Sequence, residues 1–168
     1  MSSLVEHARM LFAYDKWANA KIFDAASHVP ASLLEDAGGA GVESIRGSMA
    51  HVLVAHITWY QRIALLHLDP VDMTTMDRVR AGFDASYPRW HALLDRMPPD
   101  EWSRVVAYRD SEGTARERPL GLLLTHVVNH GAAHRGETGM MLAAHGWSPG
   151  DLDIVYFFDE WVANDGTR

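Results

Sequence analysis

The sequence predicts an all-α fold: a four-helix bundle with a small hairpin before its fourth long helix and a short C-terminal helix. Three observations carry this. Four long stretches repeat apolar residues at three- and four-residue steps. Proline- and glycine-containing breaks separate them. One short segment alternates instead, ahead of the fourth stretch.

Ser2 and Ser3 can cap a first helix reaching about Ser27, with Leu4, Ala8, Leu11, Ala18 and Ile22 on one stripe. Pro30 and the run Gly38-Gly39-Ala40-Gly41 mark a loop. Ser44 can cap a second helix to about Leu66, before Asp69-Pro70. That helix is apolar nearly all round (Val52, Leu53, Val54, Ile57, Trp59, Tyr60, Ile63), so it should be buried on more than one side, in a bundle or at a subunit interface. A homodimer follows, with Tyr60 and Ile63 as interface residues. Thr74 or Thr75 opens a third helix ending near Met97, in which Pro88 predicts a kink or break. Residues 102–109 read as a strand, Asp110 to Gly113 as a turn, and Thr114 to Arg118 as the returning strand. Pro119 suits the first turn of a fourth helix to about His145, closed by Gly146. Ser148-Pro149 starts a last short helix through Trp161. Four long helices with such connections make one bundle, a single domain over 1–168.

Composition narrows the function. A chain of 168 residues can bury ~70% of its unfolded surface, and 48% apolar with 22% charged residues is the composition of a globular protein. The net charge of −7 disfavours a nucleic-acid binder, which needs clustered Lys and Arg. The absence of cysteine removes disulfides, thiol nucleophiles and thiolate metal ligands. Neither a signal-peptide pattern nor a run of ~18 apolar residues is seen, so a cytoplasmic protein without membrane contact is expected.

Histidine is the distinctive residue, with ten in the chain. His126, His130 and His134 recur at four-residue spacing. On a helix such residues lie ~40° apart and ~6 Å along the axis, so His130 and His134 can address one ion. Leu123, Val127 and Met141 share their side, which should therefore face the bundle, where imidazoles need a partner. A tight site needs a further ligand from another helix. The second helix offers His51, His56 and, near its solvated end, His67. His56 shares the strongest apolar stripe with Met49, Val52, Tyr60 and Ile63, whereas His51 lies nearer Ser44, Ser48 and Arg62. Helix phase leaves both open. Most His-x-x-x-His pairs are surface or hydrogen-bonded core residues, and that reading stands beside the metal one.

Tyr14-Asp-Lys-Trp17-Ala-Asn19, Ser44-Ile-Arg-Gly-Ser-Met-Ala-His51 with Trp59 eight positions on, and His126-Val-Val-Asn-His130 followed by His134-Arg-Gly together resemble the DinB/YfiT family in order and spacing. The resemblance spans nearly the whole chain. It implies a four-helix bundle, commonly dimeric, with one divalent metal in a cleft on three histidines, here His51, His130 and His134. Zinc or nickel is the expected ion, with iron also suited to imidazole. It further implies a metal-dependent enzyme acting on a small molecule, a thiol-dependent S-transferase, an isomerase or a hydrolase, with a low-molecular-weight thiol as cofactor. Ala133, Glu137 and His56 depart from the family pattern. Trp17, Asn19 and Trp59 match family positions and read equally well as packing residues. No His-Glu-x-x-His is present, because Gly131 follows His130. Glu137 is the best-placed carboxylate for a base, and reads equally as a partner of a ligand or of an arginine. The rival functions are a non-catalytic metal-binding bundle and a helical interaction domain. A fourth protein ligand such as His56 or His126 would favour the former.

Overall fold

The computed structural model describes residues 4–36 and 44–165. Its elements are α1 (Leu4–Ala26), the short α2 (Ala31–Leu34), α3 (Ile45–Ala64), α4 (Met76–Asp95), β1 (Val105–Arg109), β2 (Ala115–Pro119), α5 (Leu120–Ala144) and α6 (Ile154–Asp165). The expected Ser2/Ser3 cap and the run Gly38–Gly41 lie outside the described residues. Among those residues no helix is long and apolar enough to cross a membrane.

Local chemistry sets the helix ends. The Ser44 hydroxyl accepts from the Gly47 amide at 3.0 Å, and the Thr75 hydroxyl accepts from Arg78 at 3.3 Å. Leu65 closes α3 in a left-handed conformation. Gly146, at φ +89°, closes α5 while the Trp147 amide returns to the Leu142 carbonyl at 3.0 Å.

Several expectations need correction. Pro88 does not break α4: it and Asp84 are both exposed, so the Asp84 carbonyl that the proline leaves unpaired meets water. The strand expected from residue 102 begins at Val105, because Pro99-Asp100-Glu101 favours a helical start and forms a 3-10 turn, Pro99–Ser103. β1 and β2 pair antiparallel, with Ala107 opposite Glu117. The last helix begins at Ile154 rather than Ser148, since Gly150 at φ +73° takes the preceding segment out of helical geometry. The short α2 was expected as loop.

The packing order explains the site. α5 packs on both α1 and α3, and α4 also packs on both. The four long helices therefore follow each other round the bundle as α1, α5, α3, α4. Contacts fix their directions. Asp15 meets Arg135 while Ile22 lies near Gly139, so α1 and α5 are parallel. Leu53 meets Gly82 and Tyr60 meets Trp90, so α3 and α4 are parallel. His51 faces His134 while Trp59 faces His126, so α3 and α5 run antiparallel. The last long helix thus packs between α1 and α3.

Two apolar clusters fill the interior. One contains Phe12, Tyr60, Ile63, Trp90, Leu94, Leu120 and Leu124. The other contains Ile22, Phe23, Met49, Leu53, Val79, Phe83 and Leu142. Tyr60 and Ile63 are therefore core residues of the chain itself and not the interface residues expected. The buried stripe of α1 also differs from expectation: it runs through Val5, Ala8, Phe12, Asp15, Asn19, Ile22 and Ala26, leaving Leu4 exposed and Leu11 half-buried. Asp15 and Asn19 lie on that stripe between the two clusters.

Candidate metal centre

His51, on α3, and His130 and His134, on α5, each offer a ligand atom, and these atoms lie within 4.8 Å of one another. The ring centroids are 5.1 Å apart for His51 and His130, 4.7 Å for His51 and His134, and 4.6 Å for His130 and His134. The four-residue spacing on α5 supplies two imidazoles, and the antiparallel approach of α3 brings the third beside them. The expected burial is only half met. His51 is exposed and the other two are half-buried, because the buried stripe of α5 passes through Leu124, Gly131, Arg135 and Thr138 and leaves the histidines at its edge.

Two observations fit this donor set to a divalent cation. Nε2 of His130 is buried and has no hydrogen-bond partner, an unfavourable state for a polar atom unless a ligand meets it. Burial, reinforced by the neighbouring His134 and His51, lowers the His130 pKa to about 4, which keeps the ring neutral and its lone pair available. His134 is oriented by Glu137, whose carboxylate lies 2.9 Å from Nδ1. A carboxylate only accepts, so the proton sits on Nδ1 and Nε2 carries the lone pair.

The other histidines do different work. His56 is fully buried, as its stripe predicts, with Nε2 3.1 Å from Asp15 and its ring against Phe83 and Tyr87. His126 stands one turn before His130 and contacts Trp59 edge-on, with centroids 5.3 Å apart. His67 is exposed.

Sequence reasoning missed the layer beneath the triad. The Arg135 guanidinium, next in the chain to His134, is buried and paired with the buried Asp15. Tyr87 donates to the same carboxylate at 2.9 Å, and Asn19 donates to the Tyr87 oxygen at 2.6 Å. Burial alone would raise the Asp15 pKa; Arg135 and His56 outweigh it and hold this carboxyl well below the usual range. Gly131, between the two α5 histidines, lets this pair approach: a Cβ there would fall 2.8 Å from Arg135 Nη1 and 2.9 Å from Asp15 Oδ1. Trp17 donates to Glu160 at 2.8 Å, so this residue, singled out in the sequence, pins α6 on α1. The missed signal was Asp15 and Asn19 recurring in phase with α1's apolar residues.

The sequence profile of the DinB family matches residues 1–165. This chain belongs to the DinB family. It is 22% identical to Protein DinB of Bacillus subtilis (strain 168) over 165 residues, covering 91% of this chain and 95% of that one. Among solved structures, YfiT from Bacillus subtilis matches with a TM-score of 0.69 at 19% identity, over 88% of this chain and 91% of that chain. YfiT is described as "a probable metal-dependent hydrolase with an unusual four-helix bundle topology". A DinB-like protein from Bacillus cereus ATCC 10987 matches with a TM-score of 0.63 at 13% identity, over 81% and 91% of the two chains. These likenesses establish the four-helix bundle of this DinB-family chain.

Proposed function

We propose that this DinB-family protein is a metal-dependent enzyme that holds one divalent ion, zinc or nickel before iron, on His51, His130 and His134. The observation that carries the reading is the convergence of three imidazoles, one of which, His130, has a buried Nε2 without a hydrogen-bond partner. Three neutral donors are one short of tetrahedral closure, the arrangement of catalytic zinc sites. His56 stands beside Asp15 and His126 beside Trp59, and neither belongs to the cluster of donor atoms formed by the other three. When bound, such an ion supplies Lewis acidity, which polarises a carbonyl or lowers the pKa of water or a thiol.

The chain's own residues supply the setting. Glu137 fixes the His134 tautomer. The exposed His51 leaves the triad open to solvent, so a small molecule can reach it. Hydrolysis is the reaction class nearest the description of YfiT. Thiol-dependent S-transfer or isomerisation is the second reading, drawn from the family resemblance; with no cysteine in the chain, its thiol would arrive as a separate small cofactor. We further propose a homodimer, on the family resemblance, and a cytoplasmic location, on the sequence pattern. The deciding experiment is elemental analysis of untagged protein, as purified and after remetallation, with ester hydrolysis and thiol transfer assayed with and without metal. About one ion per chain and metal-dependent turnover are expected. Metal without turnover favours a storage or structural bundle, and no ion in either preparation overturns the assignment.

A further inference from the structure

A row of contacting rings on α3, α5 and β1 leads from the triad toward the hairpin. His126 lies beside His130, with ring centroids 5.6 Å apart, then Trp59 beside His126, then Tyr108 of β1 against Trp59 at 4.9 Å. At the end stands Arg62, one turn beyond Trp59 on α3. Its guanidinium carbon lies 4.8 Å from the Trp59 ring centre and 5.0 Å from that of Tyr108. Its Nη2 donates to the Arg109 carbonyl at 2.7 Å. Two aromatic faces and one carbonyl therefore fix a half-buried side chain that would otherwise sample many rotamers.

The fixed guanidinium lacks the usual reason for being fixed. Arg104, Arg116 and Arg135 each answer a carboxylate, whereas among the described residues Arg62 has none. The bond to Arg109 uses one of the five N–H donors and leaves the others for an incoming oxyanion. One guanidinium balances one negative charge, which suits a carboxylate better than a phosphate dianion. We propose that Arg62, clamped by Trp59 and Tyr108, binds the carboxylate of a small substrate whose reacting end lies at His51, His130 and His134. This rests on the metal reading above. Arg62 follows His51 by eleven residues, ~16 Å of helix, so the substrate is elongated and lies along the wall formed by His126 and Trp59.

The test uses the cobalt-loaded protein, whose absorption reports thiol coordination, and a series of mercaptoalkanoates from mercaptopropionate to mercaptoundecanoate. Each is titrated beside the mercaptoalkanol of equal length. The acid should bind about tenfold more tightly than the alcohol once the chain spans the distance from the triad to Arg62, and no better at the shortest length. Arg62→Gln should bring the long acid's affinity to that of its alcohol while cobalt uptake persists. Tyr108→Leu, which removes half of the clamp, should narrow the preference, and it serves as the second variant if Arg62→Gln fails to fold. Equal affinities at every length in the unaltered protein, a preference that survives in Arg62→Gln, or no thiol binding to cobalt-loaded protein would each overturn the proposal. Failure to take up cobalt at all would instead overturn the metal assignment.

Discussion

Glu137 Oε2 lies 2.9 Å from Nδ1 of His134, three residues earlier on α5. The contact is exposed on the carboxylate side, so its worth to the fold is small and its consequence falls on the histidine. Glu137→Ala should weaken metal binding about 10- to 100-fold. The melting temperature of the metal-free protein should not move. Competition with a chelating dye measures the first quantity and calorimetry the second; equal affinity in both proteins would remove Glu137 from the site.

The three ligands and His56 should separate cleanly on substitution. His51→Ala, His130→Ala and His134→Ala are each expected to abolish tight binding while the fold persists. His56→Ala should leave the three ligands in place and destabilise the fold, by about 3–5 kcal/mol, because it empties a buried site beside an ionised Asp15. Urea denaturation and metal titration of the four variants measure both effects. Metal lost with His56→Ala and kept with His51→Ala would assign the third ligand to the wrong residue.

Acid should act through two groups with opposite histories. Unfolded histidine protonates near pH ~6.5, whereas His130 in the fold does so at about 4. The unfolded chain therefore binds more protons across that window, and stability falls as pH drops through it, then no further on this account. Asp15 keeps its charge in the fold well below the usual carboxylate range. Its contribution is present above pH ~3.9 and is lost as pH falls below it. Urea midpoints of chelator-treated protein should thus decline in two stages, and His130→Ala should flatten the first. Metal affinity follows the same arithmetic. His130 offers no competing proton above about pH 4, so at most two do, and the loss per pH unit from neutrality to pH 5 should not exceed about a hundredfold. Affinity unchanged at pH 5 would mean that carboxylates hold the ion.

Gly131 and Gly136, both on α5, should respond oppositely to alanine. In a helix this substitution ordinarily gains up to ~1 kcal/mol. Gly136 has open space at its Cβ position, so Gly136→Ala should gain about that much. At Gly131 the new methyl meets Arg135 and Asp15, both locked in the buried ion pair, so Gly131→Ala should cost about 1–3 kcal/mol. Urea midpoints of the two variants decide this, and a stabilised Gly131→Ala would show that the pair is not rigid.

Tyr60→Lys tests where α3 buries its apolar surface. With Tyr60 packed on Trp90 in the core, the lysine should lower the melting temperature of the chain itself. Light scattering at fixed concentration distinguishes this from a folded protein of halved mass, which would place Tyr60 at an interface.

The sequence by itself determined the four long helices, the hairpin, the polar caps Ser44 and Thr75, and the spacing that lets His130 and His134 share an ion. These are local properties, written in periodicity and in side chains that reach only a few residues. Helix phase also placed His56 on the core stripe of α3 and His51 on its flank, yet phase could not say which flank faces α5. Only the tertiary structure decided that, by packing α5 between α1 and α3 so that His51 lies beside His130 and His134. It also decided that Asp15 and Arg135, 120 residues apart, would share one buried pair, and that Tyr60 and Ile63 would face inward. Such contacts join residues distant in sequence. Their energies depend on which helices become neighbours, and the period of a single helix carries no record of that choice.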